Sequence, residues 1–257
     1  MIEQAAGLLG LSLAVLWHGF VVFLRVGALV ALLPAFGETS VPVRVRLGLA
    51  LVFAVPVAAS VPPFGTAPTL PDLAWLVLTE TLAGLLLGLS LRLFVLGLST
   101  AGAIAAQSTS LAQIFAGAGA DPQPAIAHVL VVAGLALAMM TGLHVKAVSF
   151  VILSYELFPP ARLPDASVVA AWGSGLVSRV FALAFTLAAP FVIASVLYNL
   201  TLGAINRAMP QLMVAFVGAP VITFGGLALL MILSPLILQV WLAAIDAFLA
   251  APQGPTR

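Results

Sequence analysis

Glu80-Thr81-Leu82-Ala83-Gly84-Leu85-Leu86-Leu87-Gly88-Leu89-Ser90-Leu91-Arg92 is an apolar run with an acid at one end, a base at the other and two glycines between them. In a helix, residues four apart stack on one face, so Glu80, Gly84, Gly88 and Arg92 form a single slanting row. Glycines on such a row let a second backbone approach closely, which is how helices pack when lipid removes the hydrophobic drive between them. The alternative is that glycine is simply common in membrane helices. Glu80 and Arg92 lie about 18 Å apart along the axis at 1.5 Å per residue, too far to pair with each other. An ion left alone in hydrocarbon is costly, so each must find a partner on another helix.

The same placement recurs along the chain: Arg25, Lys146, Arg179 and Arg207 also sit inside apolar runs. The 257 residues are 63% hydrophobic and 7% charged. A soluble domain is about half apolar and about a quarter charged, so this composition predicts an integral membrane protein. The net charge of +1 and the lack of a basic patch with interleaved aromatics argue against nucleic-acid binding. The absence of cysteine removes disulfides and thiolate chemistry, and His18, His128 and His144 lack metal-ligand spacing, so neither a metal site nor a cofactor is expected.

A membrane span needs about 20 apolar residues. Runs of that kind cover residues 8–33, 47–61, 73–114, 125–157, 168–205 and 211–249. The first has no small-residue cleavage site closing it and is expected to be kept as a helix rather than removed as a signal peptide. An all-α protein of long, interrupted helical hairpins is predicted, because 47–61 is short for a span while 73–114 and 168–205 exceed one even with tilt. Pro-rich linkers at 61–72 and 156–165 should leave the apolar zone. A third break, at Gly117, Gly119, Asp121, Pro122 and Pro124, interrupts otherwise apolar sequence, and is tolerable at membrane depth only where protein or a water-filled lumen surrounds it. Arg44 and Arg46 are the only basic pair in a connection and would place that turn in the cytoplasm.

His18 and Arg25, seven residues apart, face the same way on the first helix. They form either a polar stripe toward a partner or lumen, or a local histidine hydrogen bond beside a snorkelling arginine, the reading preferred for His18. Lys146 and His144 are read as satisfying helix carbonyls across an interface, with a proton relay as the alternative. Pro190, Pro220 and Pro235 are each expected to kink or break a helix. No catalytic site is expected: the chain has neither a His-Glu-x-x-His helix nor a P-loop, and Ala171-Trp172-Gly173-Ser174-Gly175 is not a nucleophile elbow.

Arg207-Ala208-Met209-Pro210-Gln211-Leu212-Met213-Val214-Ala215-Phe216-Val217-Gly218-Ala219-Pro220 resembles the Arg-x-x-Pro-Gln signature, followed by spaced Gly and Pro, of the FliR family of type III export-gate subunits. Glu80 with its downstream glycines, Ala101-Gly102 followed by Gln107, Asp121-Pro122, Gly142 with His144, and Ser154 before Phe158-Pro159 follow in the order of that family. The resemblance covers most of the chain, with residues 1–257 as one domain. Met213, Ala215 and Ser108 depart from the family pattern, so no specific hydrogen bond carries over to those positions.

The resemblance implies a subunit of the protein-export gate in the bacterial inner membrane, at the flagellar basal body. It would assemble with FliP-type and FliQ-type subunits, and with further membrane subunits of the export apparatus, into a helical funnel that passes unfolded export substrates. It also implies that residues 107–121 help plug the closed pore. In that segment Ile114 and Phe115 would form a dewetting constriction, with Gln107, Gly117, Gly119 and Asp121 framing a flexible turn. Glu80, Gly84, Gly88, Arg92, Arg207, Pro210 and Gln211 are the expected assembly contacts, with capping inside the chain as the alternative for Arg207 and Gln211. Two other classes remain open from the residues: a secondary transporter of small solutes or ions using Glu80, Arg92 and Lys146, and a purely structural scaffold. Paired repeats with matching broken helices, expected of the transporter, are not evident.

Overall fold

The computed structural model describes residues 2–64, 69–109, 125–209 and 214–252. Side chains are described from Leu13 in the first helix, to Ser108 in the third and from Val221 in the last. The described residues are all helical or connecting: α1 Ile2–Leu32, α2 Val43–Ser60, α3 Leu70–Thr109, α4 Ala125–Met140, α5 Leu143–Leu157, α6 Ala166–Ala208 and α7 Val214–Ala250. Five of them are long and apolar enough to cross a membrane, and α4 with α5 passes the same test as a pair bent by 72°.

Local chemistry explains the boundaries. α1 ends where Gly37 N–H returns to Leu33 O at 2.7 Å and Ala35 takes a positive φ of 70°. Pro42 then precedes α2, where its missing N–H costs nothing. Arg44 and Arg46 were expected in the connection, but both lie inside α2. Arg46 folds back to donate to Val41 O at 3.1 Å and Glu38 O at 2.7 Å, satisfying turn carbonyls that have no helical donor. Asp165 caps α6, its Oδ1 accepting from Ser167 Oγ at 2.6 Å and Ser167 N at 2.7 Å. The Ser167 hydroxyl, then the Ser167 and Val168 backbone amides, hold the Asp165 carboxyl below its usual range.

The run 125–157 is two helices rather than one. Gly142 adopts φ 80°, a left-handed conformation that ends a right-handed helix and that glycine enters without steric cost. Pro190 and Pro235, by contrast, sit inside continuous α6 and α7. A membrane helix can re-satisfy the carbonyl that proline frees.

Contacts divide the chain into two compact units. The first comprises Met1–Arg92, Met139–Ser174 and Leu249–Arg257. Its core is built from Val22, Val26 and Leu29 of α1, Leu33 just after it, Ala54 and Val57 of α2, Leu87 and Leu91 of α3, and Phe150 and Val151 of α5. The second comprises Leu93–Ala138 and Gly175–Phe248. Leu98, Leu130, Leu176, Phe191, Trp241 and Ile245 fill its interior. Small residues set its close crossings. A Cβ on Gly102 would lie 2.4 Å from Ala127 Cα, and one on Gly97 would lie 2.6 Å from Val180 Cγ1.

Candidate functional site

In the first unit the charges of α1 and α3 meet at one buried node. Arg25, 1% exposed, lies against Glu80, 0% exposed. Arg25 Nε donates to Glu80 Oε2 at 2.9 Å and Nη2 to Oε1 at 3.1 Å, the two-pronged geometry that a guanidinium makes with a carboxylate. Nη1 donates to Ser154 Oγ at 3.1 Å, and Nη2 also donates to Phe158 O at 2.9 Å. Phe158 caps the end of α5, where helix carbonyls lack internal donors, so the arginine closes that helix as well. The Tyr155 ring covers the guanidinium, its centroid 3.8 Å from Cζ. Removing two ions from water is repaid only when geometry and further hydrogen bonds are good. Here both carboxylate oxygens and four of the arginine's five N–H groups are engaged.

The glycine row makes this geometry possible. A Cβ on Gly84 would fall 2.2 Å from Arg25 O, and one on Gly88 2.9 Å from Leu32 Cβ and 3.0 Å from Leu29 O. The backbones of α1 and α3 therefore touch over two turns, which brings the short Glu80 side chain within reach of Arg25. Arg92 continues the row and pairs with both carboxylate oxygens of Glu38, in the turn after α1, where both side chains are about a quarter exposed. The row thus meets a neighbouring backbone and two separate charge partners, and all of them belong to this same chain.

A second polar link lies beside the node. His18 Nε2 bonds to Ala58 O at 2.8 Å, and Phe64 N–H donates to His18 Nδ1 at 3.3 Å. A carbonyl on one nitrogen and an amide on the other assign the neutral ring with its proton on Nε2. The expected local bond for His18 is corrected: its partners are 40 and 46 residues away. Snorkelling is likewise excluded for Arg25, since its head is sealed rather than wetted. Phe64 stacks between His18 and Tyr155, with centroids 5.0 Å and 6.0 Å away, and so joins the two clusters.

The remaining expected site residues are dispersed. Gln107 is exposed near the end of α3, and Ile114, Phe115, Gly117, Gly119 and Asp121 lie outside the described residues. Arg207 is exposed in the last turn of α6, and Pro210 and Gln211 lie outside the described residues. Lys146 is half-buried on α5. Arg25 is the functional-looking residue whose partner sequence reasoning missed. The available signal was one cation in α1 and one anion in α3, both inside apolar runs and both in need of a counter-ion.

These features define a helical membrane protein in which Arg25 and Arg92 are held in ion pairs within the chain. The model of the family "Bacterial export proteins, family 1" matches residues 16–248, and the chain belongs to that family. Its curated relatives include the flagellar biosynthetic protein FliR of Caulobacter vibrioides, 37% identical over 224 residues that cover 86% of this chain and 89% of that one. FliR of Escherichia coli K12 is 30% identical over 219 residues, covering 83% of each. Glu80, Ser154 and Phe158, quoted above from two separate motifs of the resemblance, converge on Arg25.

Proposed function

We propose that the chain is a FliR-type subunit of the flagellar protein-export apparatus. In this proposal it assembles in the bacterial inner membrane with FliP-type and FliQ-type subunits into the gate that passes unfolded export substrates. Identity of 37% across nearly the whole of a FliR protein carries the reading. Helix length supports the assembly. Within the second unit, residues 175–208 of α6 and 214–248 of α7 each run about 50 Å at 1.5 Å per residue. A hydrocarbon core of about 30 Å, even crossed at about 40° of tilt, accommodates roughly 39 Å. Large apolar side chains stay exposed from Phe181 to Ile205 and from Val221 to Val240. Those beyond the lipid need protein cover.

Two consequences are measurable. Arg207 stands exposed at the end of α6 and is proposed as an inter-subunit contact. Arg207→Ala should lower the yield of the multi-subunit complex several-fold on detergent extraction, size determination and mass analysis of co-purifying chains, while the membrane level of the chain itself holds. Complex at normal yield would defeat that role. Residues 107–121 are proposed to help plug the closed channel. Deleting them should make non-secreting cells leak small solutes, and an unchanged seal would sink the plug assignment.

A further inference from the structure

α2 packs on α1 and α5 with one side and leaves the other exposed. At about 100° per residue, Arg44, Gly48, Leu51 and Val55 fall within about 60° of one another, with Leu47 and Val52 flanking them. Leu47 is 52% exposed, Leu51 53%, Val52 64% and Val55 70%. Ala50, Ala54 and Val57, on the opposite side, are buried. Arg44 is exposed at the start of the helix and makes no hydrogen bond or ion pair among the described residues. Its neighbour Arg46 spends its donors on the preceding turn.

Three observations say what covers this face. Length is the first. The 18 residues of α2 run about 27 Å, which fits a hydrocarbon core of about 30 Å, so none of the apolar stretch projects beyond a bilayer. The second is how the two ends are marked. Arg44 stands at one, and part-exposed Trp17 is held level with the other because the adjacent His18 bonds to Ala58 O. Basic side chains and indoles collect at membrane surfaces. Side-chain type is the third. Where helices of this chain approach closely, small residues line the contact: Gly84 and Gly88 between α3 and α1, and Ala50 and Ala54 on the buried side of α2. The outer face carries leucine and valine instead. Gly48 has no small residue one turn before or after it, so it does not build the row that a second backbone needs. Water is a poor cover for branched aliphatic side chains, and acyl chains are a good one.

We infer that the outer face of α2 is bared to lipid, with acyl chains covering Leu47, Leu51, Val52 and Val55 and the phosphate of an anionic headgroup pairing with Arg44 at the membrane surface. A guanidinium at the end of a span reaches the headgroup layer on its own flexible stem and meets phosphate oxygens with several donors. The long helices of the second unit need protein cover at their ends, whereas α2 needs none.

The sequence has no cysteine, so single nitroxide labels can be placed on the full chain, purified with whatever subunits it recovers and returned to vesicles of phosphatidylcholine and phosphatidylglycerol. Labels on Leu51→Cys and Val55→Cys should collide several-fold more often with oxygen than with a water-soluble nickel chelate, and a label on Thr39→Cys, in the exposed turn after α1, should do the reverse. Arg44 is read from the lipid concentration that half-shifts the thermal midpoint. Arg44→Gln should bind phosphatidylglycerol about fivefold more weakly, as expected for one basic residue at an anionic surface. Arg44→Lys should retain most of that affinity, and inorganic phosphate should not replace the lipid. Labels at 51 and 55 shielded from both reagents would mean that another protein covers the face, and labels open to nickel would mean water; either overturns the lipid face. A phosphatidylglycerol response unchanged in Arg44→Gln, or matched by inorganic phosphate, overturns the headgroup contact. Labels that read as lipid on a chain that recovers no other subunit would keep the face and refute the export-gate reading.

Discussion

Arg25→Ala is expected to destabilise the first unit by about 3–5 kcal/mol, the cost of removing one member of a buried ion pair. Folded domains are stable by only about 5–15 kcal/mol, so most of the chain should be lost from the membrane or melt at a much lower temperature in detergent. The effect is large because four acceptors lose their donor at once: both Glu80 oxygens, Ser154 Oγ and Phe158 O. Glu80→Ala should be the more damaging single change. A stranded carboxylate can be neutralised by taking up a proton, whereas a stranded guanidinium keeps its charge. The double substitution Arg25→Met/Glu80→Leu should recover much of the loss, because well-packed apolar residues replace a buried pair at little cost. Thermal midpoints of the purified chain would measure the series. A double variant no better than Arg25→Ala would show that apolar packing cannot replace the pair at this site, and a fully stable Arg25→Ala would remove the node from the account of the fold.

The node also marks how far the sequence can be read. Glu80, Gly84, Gly88 and Arg92 announce a close-packed face with two separate charge partners, and the structure places α1 against that face with Arg25 and Glu38 as the partners. Which chain supplies the partner is not written in a helical period, because an ion pair 55 residues apart leaves no local spacing. Hydropathy locates the helices well where charge or proline frames them. It fails at Thr141-Gly142, since a lone glycine in an apolar run reads the same in a continuous membrane helix as at a left-handed break. Arg44 and Arg46 mislead in the opposite way, looking like a connection while forming the first turn of α2, because Arg46 spends its donors on the preceding turn. The expected plug residues 110–121 lie outside the described residues, and their role stays a proposal grounded in the family resemblance.

Trp241→Ala should be the most damaging change in the second unit, at the lower end of the roughly 3–5 kcal/mol found for deleting a buried tryptophan. Trp241 is fully buried on α7, where its indole N–H donates to Phe94 O of α3 at 2.8 Å. Its ring edge also lies over Gly134 of α4, 3.3 Å from where a Cβ would stand, so one side chain joins three helices. The lower end applies because lipid is itself apolar: burying an indole against protein rather than acyl chains gains little transfer energy, and packing carries the difference. The truncated site would be bounded by Leu98, Leu238 and Gly134, with Phe94 O as its one polar group, so the contacts of the ring would be lost outright. Trp241→Phe separates packing from the hydrogen bond. It keeps most of the ring and should cost only about 1 kcal/mol, since Phe94 O retains its place in the helical ladder of α3. If Phe and Ala prove equally harmful, the N–H···O bond holds these helices together and the packing account is wrong; if both are harmless, Gly134 is small for some reason other than seating this ring.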